Sequence, residues 1–175
     1  MTASPEPTLN YISHDDFLRD VEAVARAIEA DGWRTDFLVG IGRGGLAPAT
    51  YLSHRLDVPL LSVDHSSKVA GFADELLVKL AGLLGDGKRV LFVDDINDSG
   101  STIAYLRETV SRHGDTGGLR FAVLIDNSRS MATVDYRART IDRSIDKDWF
   151  VFPWEAVARR ATLMQEAQEV PERLA

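Results

Sequence analysis

The chain has 175 residues, 45% of them hydrophobic, which suits one α/β domain with a substantial core and leaves no room for a second full domain. Its net charge of −7 excludes broad nucleic-acid binding, which needs a basic face, so any anion site must be local. The absence of cysteine excludes disulfides and thiolate metal centres, and no apolar run reaches membrane-spanning length.

Met1 to Thr8 contains Pro5 and Pro7 and lacks the basic region and apolar core of a leader, so it reads as a disordered tail before a domain at residues 9–175. The expectation is a soluble cytoplasmic protein with no membrane partner. Ser13 reads as an N-cap, and Phe17, Val21, Val24, Ala25 and Ile28 keep helical spacing to about Ala30, where Asp31-Gly32 ends the helix. Phe37–Ile41 is a short buried strand, followed by Gly42-Arg43-Gly44-Gly45 and a helix from about Leu46 to Leu56. Gly40, Gly42 and Gly45 also match the dinucleotide-binding fingerprint, with Asp64 placed where a ribose-binding acid would be sought. Against that reading, Arg43 puts a long cation inside the tight turn.

Pro59–Asp64 is a second strand, and His65 to Ala73 is polar loop. Asp74 to Leu84 fits two patterns: Leu76, Leu77, Leu80, Leu83 and Leu84 make a helical stripe, while Leu76, Val78 and Leu80 alternate. Gly82 to Lys88 nearly spells a nucleotide-binding loop, but Arg89 replaces the hydroxyl residue and a strand follows, so Gly85-Asp86-Gly87 reads as a turn.

Val90-Leu91-Phe92-Val93 is a buried strand emerging at the paired carboxylates Asp94 and Asp95. Asp98-Ser99-Gly100-Ser101-Thr102 then opens a helix with hydroxyls and a glycine that lets consecutive N–H groups approach an anion. An acid pair beside a phosphate seat suits a sugar phosphate, because carboxylates accept hydrogen bonds from vicinal ribose hydroxyls. The stretch resembles the signature by which type I phosphoribosyltransferases bind phosphoribosyl pyrophosphate (PRPP). The turn Gly42-Arg43-Gly44 resembles the pyrophosphate loop of the 6-oxopurine enzymes of that family, which implies a strained or cis peptide at Gly42-Arg43.

Leu119–Ile125 is the next strand, with Asp126-Asn127-Ser128-Arg129 at its end, and Tyr136–Ile141 reads as another. Trp149-Phe150-Val151-Phe152-Pro153-Trp154-Glu155 is dense in aromatics, and Ala156 to Glu169 reads as a closing helix. The aromatic segment resembles the base-binding end of the xanthine–guanine and hypoxanthine–guanine phosphoribosyltransferases.

The resemblance implies a mainly parallel twisted sheet flanked by helices, an α/β fold with a hood loop at about 65–80 and a base-binding segment at about 126–155. A strand would return from the hood within Asp74–Leu84. Asp94, Asp95, Asp98, Ser99, Gly100, Ser101 and Thr102 would bind PRPP, with Asp98 exchanging a proton with the base. Gly42, Arg43 and Gly44 would hold pyrophosphate. Ser66, Ser67 and Lys68 would be hood residues, Lys68 standing where the family usually has Tyr. Trp149 would stack on a purine, Phe150 would read it through its backbone, and Asn127 would take an exocyclic oxygen where the family has Lys, with Arg129 as an alternative cation. Mg²⁺ would sit at Asp95, with Glu155 supporting it or a water. The implied activity is transfer of phosphoribosyl to guanine, xanthine or hypoxanthine in purine salvage, by a homodimer or higher homo-oligomer. A PRPP-sensing regulator on the same fold is the alternative, and a dinucleotide-binding protein the third.

Overall fold

Strands buried on both faces organise the molecule. In the computed structural model, which describes residues 7–64 and 74–169, the elements are β1 (Leu9–Tyr11), α1 (His14–Asp31), β2 (Phe37–Ile41), α2 (Gly42–Leu56), β3 (Leu60–Val63), α3 (Asp74–Gly85), β4 (Val90–Asn97), α4 (Ser101–Ser111), β5 (Leu119–Asn127), β6 (Tyr136–Ile141), β7 (Trp149–Val151) and α5 (Arg160–Gln168). Five strands form a wholly parallel sheet in the order β3-β2-β4-β5-β6, matching the expected α/β class.

The pleat sorts the apolar runs between two cores. Leu38, Leu91, Val93, Ala122 and Leu124 point to one face, where Phe17, Val21, Val24 and Ile28 of α1 and Leu52 of α2 cover them. Val39, Ile41, Val90, Phe92, Phe121 and Val123 point to the other, covered by Leu77, Leu80 and Leu84 of α3 and Ile103, Leu106 and Val110 of α4. Burial on both sides is why these strands read as continuous hydrophobic runs rather than as alternation.

Helix α1 begins as its sequence predicts: the Ser13 hydroxyl accepts a hydrogen bond from the Asp16 N–H at 3.0 Å, and Gly32 closes the helix in the left-handed region. Other expectations are corrected. Asp74–Gly85 is a helix, not a returning strand, because helical spacing puts Leu77, Leu80, Ala81 and Leu84 on one buried stripe and leaves Val78 46% exposed. Helix α2 starts at Gly42 rather than at Leu46, and the final helix is shortened to Arg160–Gln168, with turns before it. No peptide among the described residues is cis; at Gly42 the chain turns instead through a left-handed φ of 54°.

The sequence also hides a second small sheet. β1 pairs in parallel with β7, Leu9 opposite Trp149 and Tyr11 opposite Val151, so the start of the described chain clamps the aromatic segment. Thr8, expected in the tail, already accepts a hydrogen bond from the Trp149 N–H at 2.8 Å.

Candidate active site

Strand order reverses between β2 and β4: one neighbours β3, the other β5. In open parallel sheets ligands bind at the carboxyl ends of the strands beside such a reversal. Here those ends carry the Gly42-Arg43-Gly44 turn and the Asp94-Asp95 pair, and two adjoining cavities open above them.

The first cavity, about 100 Å³, is lined by Asp94 and by every residue from Ile96 to Ile103. Its floor is the turn into α4. Gly100 lies at φ 87°, and a Cβ there would sit 2.5 Å from Ser130 Oγ and 2.6 Å from the Ala132 nitrogen, so the loop 128–132 fits only a glycine. Ser99 Oγ lies 2.9 Å from Ser101 Oγ, and the Ser99 carbonyl accepts from the Met131 N–H at 3.0 Å. The N-cap Gly100 has no side chain to cap α4; the Ser101 N–H donates to Ser99 Oγ at 3.2 Å, and the hydroxyls and N–H groups of this turn suit an anion.

The second cavity, about 210 Å³, is lined by Asp95, Ile96, Asp98, Arg143, Trp149, Phe150, Phe152 and Glu155. Ile96 and Asp98 border both cavities. Trp149 and Phe150 reach it from β7. Phe152 stacks on Trp154 at 4.8 Å, and Trp154 meets the edge of Phe17 at 5.3 Å, so α1 braces this wall.

The acids between the cavities are strained electrostatically. Burial, and then the charge of Asp95, push Asp94 well above the ordinary carboxylate range, while burial raises Asp95 to about 6. Glu155 rises to about 7 through burial and the nearby Asp95 charge, against a hydrogen bond to its Oε2 from the Phe152 N–H at 3.1 Å and the opposing charge of Arg43. The Arg43 side chain is exposed, and its turn packs on the acids: a Cβ on Gly44 would meet Asp95 Oδ2 at 2.4 Å.

Asp98 is held by a residue that sequence reading missed. Arg143 donates from Nε to Asp98 Oδ1 and from Nη2 to Oδ2, each at 2.9 Å, and only 2% of Arg143 is exposed. It lies in a polar stretch where no motif or spacing marks it; only the need of a buried carboxylate for a partner would single it out. Asn127, expected at the base, bonds here to the protein itself. It is buried and does not line the base-side cavity; its Oδ1 accepts from the backbone N–H groups of Arg129 and Arg143, and its Nδ2 donates to the Asp98 carbonyl. Arg129 is largely exposed and pairs with Asp142 at 2.9 Å. Asp126 turns to Asn97, whose Nδ2 donates to it at 2.8 Å. The hood residues Ser66, Ser67 and Lys68 lie outside the described residues.

Among the described residues no group of three or more His, Cys, Asp or Glu side chains is placed to hold a metal ion. Asp94 and Asp95 nonetheless fit Mg²⁺, which binds through one or two carboxylates and completes its shell with water and substrate oxygens. Burial raises both acids, and a cation beside them would favour their charged forms. No helix among the described residues is long and apolar enough to cross a membrane.

Comparison with known proteins agrees with this geometry. The family model for the phosphoribosyl transferase domain matches residues 8–158. The xanthine-guanine phosphoribosyltransferase of Cereibacter sphaeroides is 31% identical over 156 residues, covering 83% of this chain and 86% of its own. That of Ruegeria sp. is 31% identical over 160 residues, covering 83% and 84%. Among solved structures, a purine phosphoribosyltransferase from Pyrococcus horikoshii superposes with a TM-score of 0.60 at 27% identity, over 83% of this chain and 93% of that one. The acid pair, the glycine turn into α4 and the family match converge: this chain belongs to the phosphoribosyl transferase domain family.

Proposed function

We propose that the protein transfers the phosphoribosyl group of PRPP to a 6-oxopurine, guanine, xanthine or hypoxanthine, giving a nucleoside 5′-monophosphate and pyrophosphate in purine salvage. The observation that carries this reading is the pair of adjoining cavities, one polar and anion-seating, the other aromatic, which share Asp98. A flat base between Trp149 and Phe152 and a phosphate at Ser99–Thr102 would leave the ribose over Asp94 and Asp95. The names of the related enzymes support the choice of purine.

In this reading the bond from ribose C1′ to the pyrophosphate oxygen breaks and a bond from C1′ to purine N9 forms, with loss of one proton from the base. Asp94 and Asp95 accept hydrogen bonds from the ribose hydroxyls and face the positive charge that builds on the ring. Arg43 and the N–H groups around Gly42 and Gly44 take the negative charge of the departing pyrophosphate. Asp98 accepts the N–H of the purine and exchanges the proton; its oxygens keep lone pairs beyond those used by Arg143. Trp149 stacks on the base, and the backbone of Phe150 reads it. Mg²⁺ held at Asp95, with Glu155 supporting it or a water, would offset the phosphate charge when bound.

The test is to incubate the protein with PRPP, Mg²⁺ and each of guanine, xanthine, hypoxanthine and adenine separately, and to follow nucleotide and pyrophosphate. Formation with a 6-oxopurine and not adenine is the expected result. PRPP binding without transfer to any base would favour a regulatory protein on this fold instead.

A further inference from the structure

We infer that Arg143 is a positioning residue of the transfer site, fixing the Asp98 carboxylate and the base-side wall as one rigid unit. The inference rests on the transferase reading above and deepens it.

Arg143 joins three segments distant in sequence. One edge of its guanidinium grips both oxygens of Asp98 in the turn into α4. From the other edge Nη1 donates to the carbonyls of Asp148 at 2.6 Å and Asp146 at 3.3 Å, beside Trp149. Its backbone N–H donates to Asn127 Oδ1 at 3.2 Å, and Asn127 returns a bond from Nδ2 to the Asp98 carbonyl at 3.0 Å, closing a ring through the end of β5. The plane lies 5.3 Å from the centre of the Phe150 ring.

This arrangement requires arginine. A planar fork presents donors on two edges in fixed directions, so it sets the rotation of a carboxylate while tying down carbonyls behind it; an ammonium is a point charge and does neither. A buried ion pair adds little net stability over apolar packing of the same volume, so this one is better explained by orientation. Asp98 borders both cavities, and its rotation sets where a base hydrogen-bonded to it sits relative to the phosphate seat. Misplacement of a reacting group by about 1 Å costs on the order of 10²-fold in rate.

The experiment compares the wild type with Arg143→Lys, Arg143→Gln and Arg143→Ala in steady-state kinetics, varying a productive purine at saturating PRPP. Thermal unfolding and calorimetric PRPP titration accompany it. Arg143→Lys and Arg143→Gln should lower kcat by about 10²-fold and raise the KM for the base about tenfold, with the PRPP Kd within about twofold. Added guanidinium ion should restore part of the turnover of Arg143→Ala, which a merely structural role does not predict. Should the neutral variants fail to fold, Arg143→Lys, which keeps the charge and the stem, carries the test. Wild-type kcat and base KM in Arg143→Lys, or a loss of PRPP affinity equal to the loss of kcat, would overturn the inference while leaving the transferase reading standing. A wild-type protein that transfers to no purine would overturn both.

Discussion

The Asp95 carboxylate rests directly on the backbone of Gly44, where an added Cβ would lie 2.4 Å from Oδ2 and 2.8 Å from Cγ. The turn expected to hold pyrophosphate and the acid expected near the ribose thus form one surface. Gly44→Ala forces Asp95 aside, and we expect PRPP affinity in a calorimetric titration to fall about tenfold or more, with a stability loss of roughly 1–3 kcal/mol. Gly45→Ala differs in kind, because its Cβ would meet the Val93 carbonyl oxygen at 2.1 Å and backbone cannot swing away. Its denaturant midpoint should drop further than that of Gly44→Ala.

Asp98→Asn keeps the shape of the side chain and removes the proton acceptor. Turnover should fall by about 10²-fold or more while PRPP binding is largely retained. Unchanged single-turnover rates would remove Asp98 from the chemistry. Asp98→Asn and Asp98→Ala both leave Arg143 as a buried charge without its carboxylate; breaking such a pair costs about 3–5 kcal/mol, visible as a lowered Tm.

The acids between the cavities also predict a pH dependence of stability for the ligand-free protein. Glu155 is raised from 4.5 to about 7 and Asp95 from 3.8 to about 6, so between the unfolded and folded values the folded protein binds more protons than the unfolded chain. Their contribution is complete below about pH 4 and is lost as pH rises through 6 to 7. The Tm should therefore decline between pH 5 and pH 8, and Glu155→Gln should flatten the upper part of that decline. Mg²⁺ with PRPP should do the same by compensating the charge, whereas a Tm that rises over this range would contradict the assignment of these shifts.

Deleting the chain through Tyr11 removes β1 and with it the bonds from the Trp149 N–H to the Thr8 carbonyl, together with the pairing along Trp149–Val151. The base wall loosens while the phosphate seat, built from β4 and α4, keeps its supports. The KM for the purine should rise about tenfold, and that for PRPP should change little; this corresponds to the loss of roughly one to two net backbone hydrogen bonds. Equal increases in the two constants would argue that β1 serves general stability.

Much of this architecture is written locally in the chain. Phe37–Ile41, Val90–Val93 and Leu119–Ile125 are mostly apolar runs that end at glycine or an acid, and a strand buried on both faces needs nothing more. The acid pair and the Asp98–Thr102 turn are likewise contiguous, so their chemistry is legible without a fold. Asp74–Leu84 misleads because its leucines satisfy two periods, and only the face of the sheet left bare decides for the helix. β1 escapes notice because three residues, two of them exposed, gain strand character only from a partner at the far end of the chain. Arg143 escapes for a related reason. A charged residue in a polar stretch looks solvated until three separate segments close around it.

The pairing of Leu9–Tyr11 with Trp149–Val151 also sets an order of events during biosynthesis. A chain emerging at roughly 5–20 residues per second exposes β1 well before β7, so its hydrogen-bonding edge has no partner until the five strands of the main sheet have been made. The acid pair and phosphate turn emerge well before β7. A chain that stops short of β7 therefore lacks the aromatic wall, which closes only when residues 9–11 meet residues 149–151.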